Sequence, residues 1–216
     1  MSALRNLVIA SLMITVGVWL PAGALADDWN TCAKDSLRSG LSGDLGPDTA
    51  NLSWSGGRSS LIAWQPYIAG NRAFMVRQHA WPASGPNDAW VVAMDIDTGE
   101  ELWAVQVPYQ SGDWIPWIGG VMDGQVYVSR AGNGASVWAP LHALSAETGQ
   151  ILWTTTVEIS AGAYDGVVFA PIGDPVIGSF TDIWRFNAVD GSLVWHAGRT
   201  CSVSGTCGAA IYGDAV

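Results

Sequence analysis

Alternating apolar and polar residues run through this 216-residue chain in three stretches, and each closes on the same punctuation. Ala93-Met94-Asp95-Ile96-Asp97-Thr98-Gly99-Glu100-Glu101-Leu102-Trp103 is followed by Ala143-Leu144-Ser145-Ala146-Glu147-Thr148-Gly149-Gln150-Ile151-Leu152-Trp153 and by Arg185-Phe186-Asn187-Ala188-Val189-Asp190-Gly191-Ser192-Leu193-Val194-Trp195. Period-two alternation reads as a half-buried strand, the Gly as the residue that closes a tight turn, and a second strand ends in Trp. One hairpin cannot bury its own apolar face. Copies recurring at roughly 40 to 50 residues, four strands to a unit, predict an all-β fold of β-propeller blades rather than a single globular core.

Aligning the tryptophans sets the strands. Blade one spans about residues 61–107, with 73–76 as its second strand, 90–95 as its third and 101–105 as its fourth. Blade two spans about 115–157, with 125–128, 140–144 and 151–155 in the same order. Blade three spans about 161–200, and its strands are expected at 167–170, 182–186 and 193–196. Residues 208–216 match 120–126 as a first strand, a turn and the opening of a second, so a fourth blade is begun. Propellers close with about four to eight blades, so the expectation is a fragment, a truncated product or half of an assembly completed by another chain. Residues 27–60 form an entry segment. Within it Asn51-Leu52-Ser53-Trp54-Ser55 has the Leu-x-Trp ending of the outer strands without the turn before it, and is expected to complete the last blade of a closed ring.

At the N-terminus, Arg5 precedes an apolar run from Leu7 to Leu20, and Ala24-Leu25-Ala26 presents small residues where a signal peptidase cuts, so residues 1–26 read as a cleavable signal peptide. The run is short for a membrane span, and no Cys follows Ala26 to carry a lipid. A secreted or periplasmic mature chain is expected, with no membrane insertion. Losing Arg5 moves the net charge from −10 to −11, which repels nucleic-acid phosphates and anionic lipid. Three cysteines remain. Cys201 and Cys207 are close enough in sequence to form a disulfide in an oxidising compartment, and Cys32 is then left over. No His or further Cys stands at a spacing that completes a zinc site.

The Ala-x-Asp-x-x-Thr-Gly-x-x-Leu-Trp pattern resembles the tryptophan-docking repeat of the pyrroloquinoline quinone (PQQ)-like β-propellers, over residues 61–216. The Asp28-Trp29 start with Asp35 and Arg38-Ser39-Gly40-Leu41-Ser42 is similar to the entry segment of secreted members. The resemblance implies that the repeat Trp packs flat between blades and that the turn Gly makes room for it. The equivalent residues are Trp103, Trp153 and Trp195, with Gly99, Gly149 and Gly191. The third copy departs from the pattern at Arg185, Asn187 and Val189-Asp190-Gly191, although Asp-Gly is an equally good turn. Quinone dehydrogenases of this fold use a Ca-ligating set of acidic and amide side chains, a catalytic Asp, and commonly a disulfide between adjacent cysteines. That set is not placed in this sequence, and Cys201 and Cys207 are not adjacent.

Trp114 and Trp117, in Asp113-Trp114-Ile115-Pro116-Trp117, are the candidates for a ligand-stacking surface, since they enter the innermost strand of blade two. A chain with 13 tryptophans spends most of them on packing, which is the competing account. Asp95-Ile96-Asp97-Thr98-Gly99 spaces its carboxylates like a calcium loop but lacks the later bidentate acid, so turn chemistry explains it. His79, His142 and His196 fall on different blades with no nucleophile arranged beside them. The glycines fall at hairpins rather than between a strand and a helix, so no phosphate loop is written here. The reading is an exported PQQ-like propeller acting as a non-catalytic binding or assembly scaffold, with no catalytic or metal-binding residue and no cofactor. The alternative is a fragment of a PQQ-dependent dehydrogenase using PQQ with Ca. The scaffold's partner is a protein or small ligand that the sequence does not identify.

Overall fold

A computed structural model describes residues 28–43, 45, 48–49, 51–56, 58, 65–80, 84, 88–108, 113–131, 136–155, 160–162, 167–178, 181–199, 209–213 and 215–216. Among the described residues thirteen strands form three antiparallel sheets. Blade one is β1 (Tyr67–Ala69), β2 (Arg72–Arg77), β3 (Trp90–Asp95) and β4 (Glu101–Gln106), in that spatial order. Blade two is β5 (Ile115–Met122), β6 (Gln125–Ala131), β7 (Ser136–Ser145) and β8 (Ile151–Thr154), with β9 (Ser160–Gly162) also paired to β7. Blade three is β10 (Val168–Phe169), β11 (Pro175–Gly178), β12 (Asp182–Phe186) and β13 (Leu193–Gly198).

Two strand assignments differ from the expectation. Residues 167–170 are expected as the second strand of blade three, but they hold the first, Val168–Phe169, and the second is Pro175–Gly178. Pro175-Val176-Ile177-Gly178 is buried at every position, so it lacks the alternation by which its counterparts were recognised. Ala161 and Gly162, at the start of the expected span of blade three, pair together with Ser160 to β7 of blade two. The signal segment, both Cys201 and Cys207, and therefore the expected disulfide lie outside the described residues.

The turns between the third and fourth strands share one construction. Gly99 N donates to Asp95 O, Gly149 N to Ser145 O and Gly191 N to Asn187 O, at 2.9, 2.8 and 2.9 Å. The first residue of each turn also accepts on its side chain: Asp95 from the amides of Asp97 and Thr98, Ser145 from Glu147 and Thr148, and Asn187 from Val189. Asp95 is thus committed to its own turn, and these bonds hold its carboxyl below the usual range, Thr98 contributing most. Asn187 does in the third copy what Asp95 does in the first, so the departing sequence keeps the geometry. A β-bulge follows at the same place in all three sheets, at Ala93/Met94, Ala143/Leu144 and Arg185/Phe186.

The main core runs through the three blades, centred on Phe74, Trp117, Tyr127, Leu144, Phe169 and Phe186. A smaller cluster joins Val168, Val176 and Ile183 to Ala209 and Ile211, so the first residues of the expected fourth blade cover the far face of blade three.

Candidate functional site

Each blade seam is a tryptophan seated on a glycine. The Trp103 indole donates to Ala146 O at 3.0 Å and lies against Gly149, where an added Cβ would sit 2.8 Å from the ring. Trp153 donates to Ala188 O at 2.8 Å and lies on Gly191 in the same way. Gly149 and Gly191 have φ of 74° and 72°, which a residue with a Cβ adopts only at a cost of about 1–2 kcal/mol. The turn Gly is therefore required twice, for its backbone and for the ring above it.

A tryptophan docks on the turn of the blade that follows it, so the first turn needs a tryptophan from before blade one. That residue is Trp54, whose indole donates to Ile96 O at 2.8 Å and covers Gly99. In the sequence Trp54 stands only as a strand ending. The signal was spacing: Trp54 precedes Gly99 by 45 residues, as Trp103 precedes Gly149 by 46. Trp195, the last of the repeat tryptophans, is half-buried against the small cluster of Val168, Val176 and Ile183.

Beside each docked indole stands a cross-strand triplet, Phe74–Ala93–Trp103 in blade one and Tyr127–Ala143–Trp153 in blade two. The aromatic of the second strand meets the tryptophan at 5.9 and 5.8 Å between ring centroids, and the Ala between them leaves the room. A second donor reinforces the seam: Arg72 and Gln125, which open β2 and β6, reach the same Ala146 and Ala188 carbonyls at 3.2 and 3.0 Å. In blade three the triplet is Val176–Arg185–Trp195. Arg185 stands where Ala is expected, and Asp174 stands where the donor is expected. They pair with each other, with Arg185 Nε and Nη2 at 2.9 and 2.8 Å from Asp174 Oδ2. Two departures in sequence are one ion pair in space.

The remaining buried carboxylates are also engaged within the fold. Asp113 takes Arg130 Nη1 at 3.0 Å. Asp88 accepts from the amides of His79, Ala80 and Ser84 and from His79 Nδ1 at 2.7 Å. Burial alone would raise the Asp88 carboxyl, but those donors outweigh it and hold it at about 2. His142 bonds to Thr154 Oγ1, and burial lowers its pKa. His196 stacks on Trp184 and bonds to Asp182. Of the ligand-stacking candidates, Trp117 is fully buried in the core and Trp114 is half-buried against it, so neither ring stands open on a surface. The two belong to one packed cluster.

The entry segment organises the axial side. Residues 28–41 run across the inner strands of all three blades. Trp29 exchanges both backbone bonds with Ile68 of β1, at 2.9 and 2.8 Å. Asn30 O accepts from Val121 of β5 at 2.7 Å, and the fully buried Thr31 hydroxyl donates to Val167 O beside β10. Ser36 Oγ accepts from the Phe169 amide at 2.9 Å and Ser36 O from the Ile211 amide at 2.8 Å, and Arg38 Nε donates to Ala209 O at 2.7 Å. Gly120 permits the approach, since a Cβ there would sit 2.9 Å from Asn30 O. A cleft of about 700 Å³ opens beside this strap, lined by Trp29, Cys32, Pro66, Ile68 and Ile96 among others.

Serial four-stranded blades, the first two sealed by Trp103 and Trp153 on the next blade's turn, define a β-propeller of the PQQ-like repeat class. Residues 87–216 match the family described as outer membrane protein assembly factor BamB, and the chain belongs to that family. No curated protein matches the sequence. Among solved structures, quinohemoprotein alcohol dehydrogenase from Comamonas testosteroni is similar at 20% identity and a TM-score of 0.52, covering 80% of this chain and 27% of that one. BamB from Moraxella catarrhalis is similar at 16% identity and a TM-score of 0.46, covering 67% of this chain and 39% of that one. The chain thus spans well under half the length of either. Among the described residues no helix is long and apolar enough to cross a membrane.

Proposed function

We propose that the chain acts outside the cytoplasm as a non-catalytic scaffold that binds or assembles proteins. The observation that carries this reading is the strap, residues 28–41, laid along the inner strands of three blades by backbone and side-chain hydrogen bonds. The inner strands of the blades thus already hold a polypeptide segment, which supports a protein-binding role. The family's description as an assembly factor supports the same role. PQQ with Ca fits the described residues poorly. Asp88, Asp113 and Asp174 are held on separate loops by His79, Arg130 and Arg185, and among the described residues no three acidic, His or Cys side chains converge.

Export is read from residues 1–26. Periplasmic or secreted protein is expected to begin at Asp27, which N-terminal sequencing of the fractionated protein checks. For the catalytic side, the purified chain is incubated with PQQ and Ca, and dye reduction by alcohols and sugars is followed. No reduction above the protein-free blank is expected. Activity that saturates with PQQ would establish the dehydrogenase reading instead.

A further inference from the structure

A second cavity, of about 390 Å³, lies at the seam of blades one and two, between the strap, the β1–β2 turn and the β5–β6 turn. Its floor is apolar: Phe74 and Val121 are buried, and Ala69 and Met122 are half-buried beside them. Its polar lining carries both signs of charge. Asp28 and Arg72 line the same cavity without pairing with each other, because each is held elsewhere through a single atom. Asp28 Oδ1 accepts from the Gly70 amide at 2.8 Å, while Arg72 Nη1 donates to Ala146 O at 3.2 Å and to Glu147 Oε2 at 2.8 Å. Among the described residues Asp28 Oδ2, Arg72 Nε and Nη2 and the Asn30 side-chain amide carry no hydrogen bond. An apolar floor with a few convergent polar groups is the form of a small-molecule site. A carboxylate and a guanidinium held apart in one cavity are both satisfied by a ligand that carries an ammonium and a carboxylate together.

We propose that this cavity binds a free α-amino acid with an apolar side chain, its ammonium on Asp28 and Asn30, its carboxylate on Arg72 and its side chain over Phe74 and Met122. Asp123, on the β5–β6 turn, adds a second carboxylate to the lining, which favours the ammonium and leaves the ligand's carboxylate to the Arg72 end. The ligand thus bridges the strap and two blades. This site goes beyond the scaffold role and does not need it; amino-acid binding and dye reduction are read separately, so either can fail while the other stands.

The test is isothermal titration calorimetry of the whole chain with leucine, and with N-acetyl-leucine, which lacks the ammonium, and leucinamide, which lacks the carboxylate, as matched probes. Leucine is expected to bind at least about ten-fold more tightly than either, the factor that one lost hydrogen-bonded charge contact carries. Asp28→Asn keeps an oxygen for the Gly70 amide. It is expected to bring leucine down to the level of N-acetyl-leucine and to leave N-acetyl-leucine itself unchanged. Arg72→Gln is expected to do the converse, bringing leucine to the level of leucinamide and leaving leucinamide unchanged. Arg72 also serves the blade seam, whereas Asp28 is exposed and outside the sheets. Should Arg72→Gln fail to fold, Asp28→Asn and the two probes still decide. No saturable binding of leucine or phenylalanine at millimolar concentration overturns the proposal. So does leucine binding that Asp28→Asn leaves unchanged, which would put the amino acid elsewhere on the chain.

Discussion

Replacing Gly149 by Ala separates what the turn backbone needs from what the docked tryptophan needs. Gly149 and Gly124 have nearly the same φ, 74° and 76°, so an Ala at either pays the same left-handed strain of about 1–2 kcal/mol. Around Gly124 nothing lies within 4 Å of the new methyl. At Gly149 the methyl would meet Trp103 Cε3 at 2.8 Å and Val105 Cγ1 at 2.9 Å, both inside ordinary contact. Trp103 must move, and overpacking of this kind costs about 1–3 kcal/mol. Its indole bond to Ala146 O, 3.0 Å long, is stretched as well, for a net loss of about 1 kcal/mol. Gly149→Ala is therefore expected to destabilise by about 2–4 kcal/mol more than Gly124→Ala. Urea unfolding followed by tryptophan fluorescence measures the difference, with a shifted native emission for Gly149→Ala alone. Equal losses for the two variants, within about 0.5 kcal/mol, would refute the idea that the ring above the turn demands glycine.

Other perturbations test the remaining contacts. Arg185→Ala restores the repeat residue but strands Asp174, and is expected to cost about 3 kcal/mol; adding Asp174→Asn should recover most of it, as a double-mutant cycle in urea shows. Asp88 titrates at about 2 in the fold against 3.8 in the unfolded chain, so its contribution of about 2 kcal/mol is present above pH 3.8 and is lost as pH falls through 2. Asp88→Asn should accordingly be less stable than the parent at pH 6 and approach it near pH 2. His142 is held neutral by burial, so its stabilising effect is full above pH 6.5 and declines as pH falls toward its lowered folded pKa; His142→Gln should flatten that part of the stability curve. Trp54→Ala should cost less than Trp153→Ala, because Trp54 is half-buried on a segment outside any sheet while Trp153 sits on β8 with 8% of its surface exposed. Thermal unfolding of the two variants compares them directly.

Much of the architecture was legible because a propeller writes its seams into local sequence. A strand, a positive-φ glycine and a tryptophan recur at fixed offsets, and each is a local requirement of one hairpin, so three blades and their turns could be placed from the pattern alone. The second strand of blade three escaped notice because Pro175–Gly178 is buried on both faces, and a strand without a polar side carries no alternation. The pairing of each tryptophan with the following blade's glycine is a relation between repeats some 40 residues apart. No window of one hairpin contains it, and Trp54 lost its role for that reason. Arg185 departs from the repeat in sequence, and only the fold sets it on β12 against Asp174, which leads into β11. The strap is the clearest case. Its residues are polar, short of periodicity and unremarkable in line, and their meaning comes from three inner strands and Ile211 converging on them. Repetition and turn chemistry thus belong to the sequence itself, since they are satisfied within a hairpin. Which tryptophan meets which glycine, which charges pair, and what lies along the axis were decided only in three dimensions, where groups distant in the chain complete one another's hydrogen bonds.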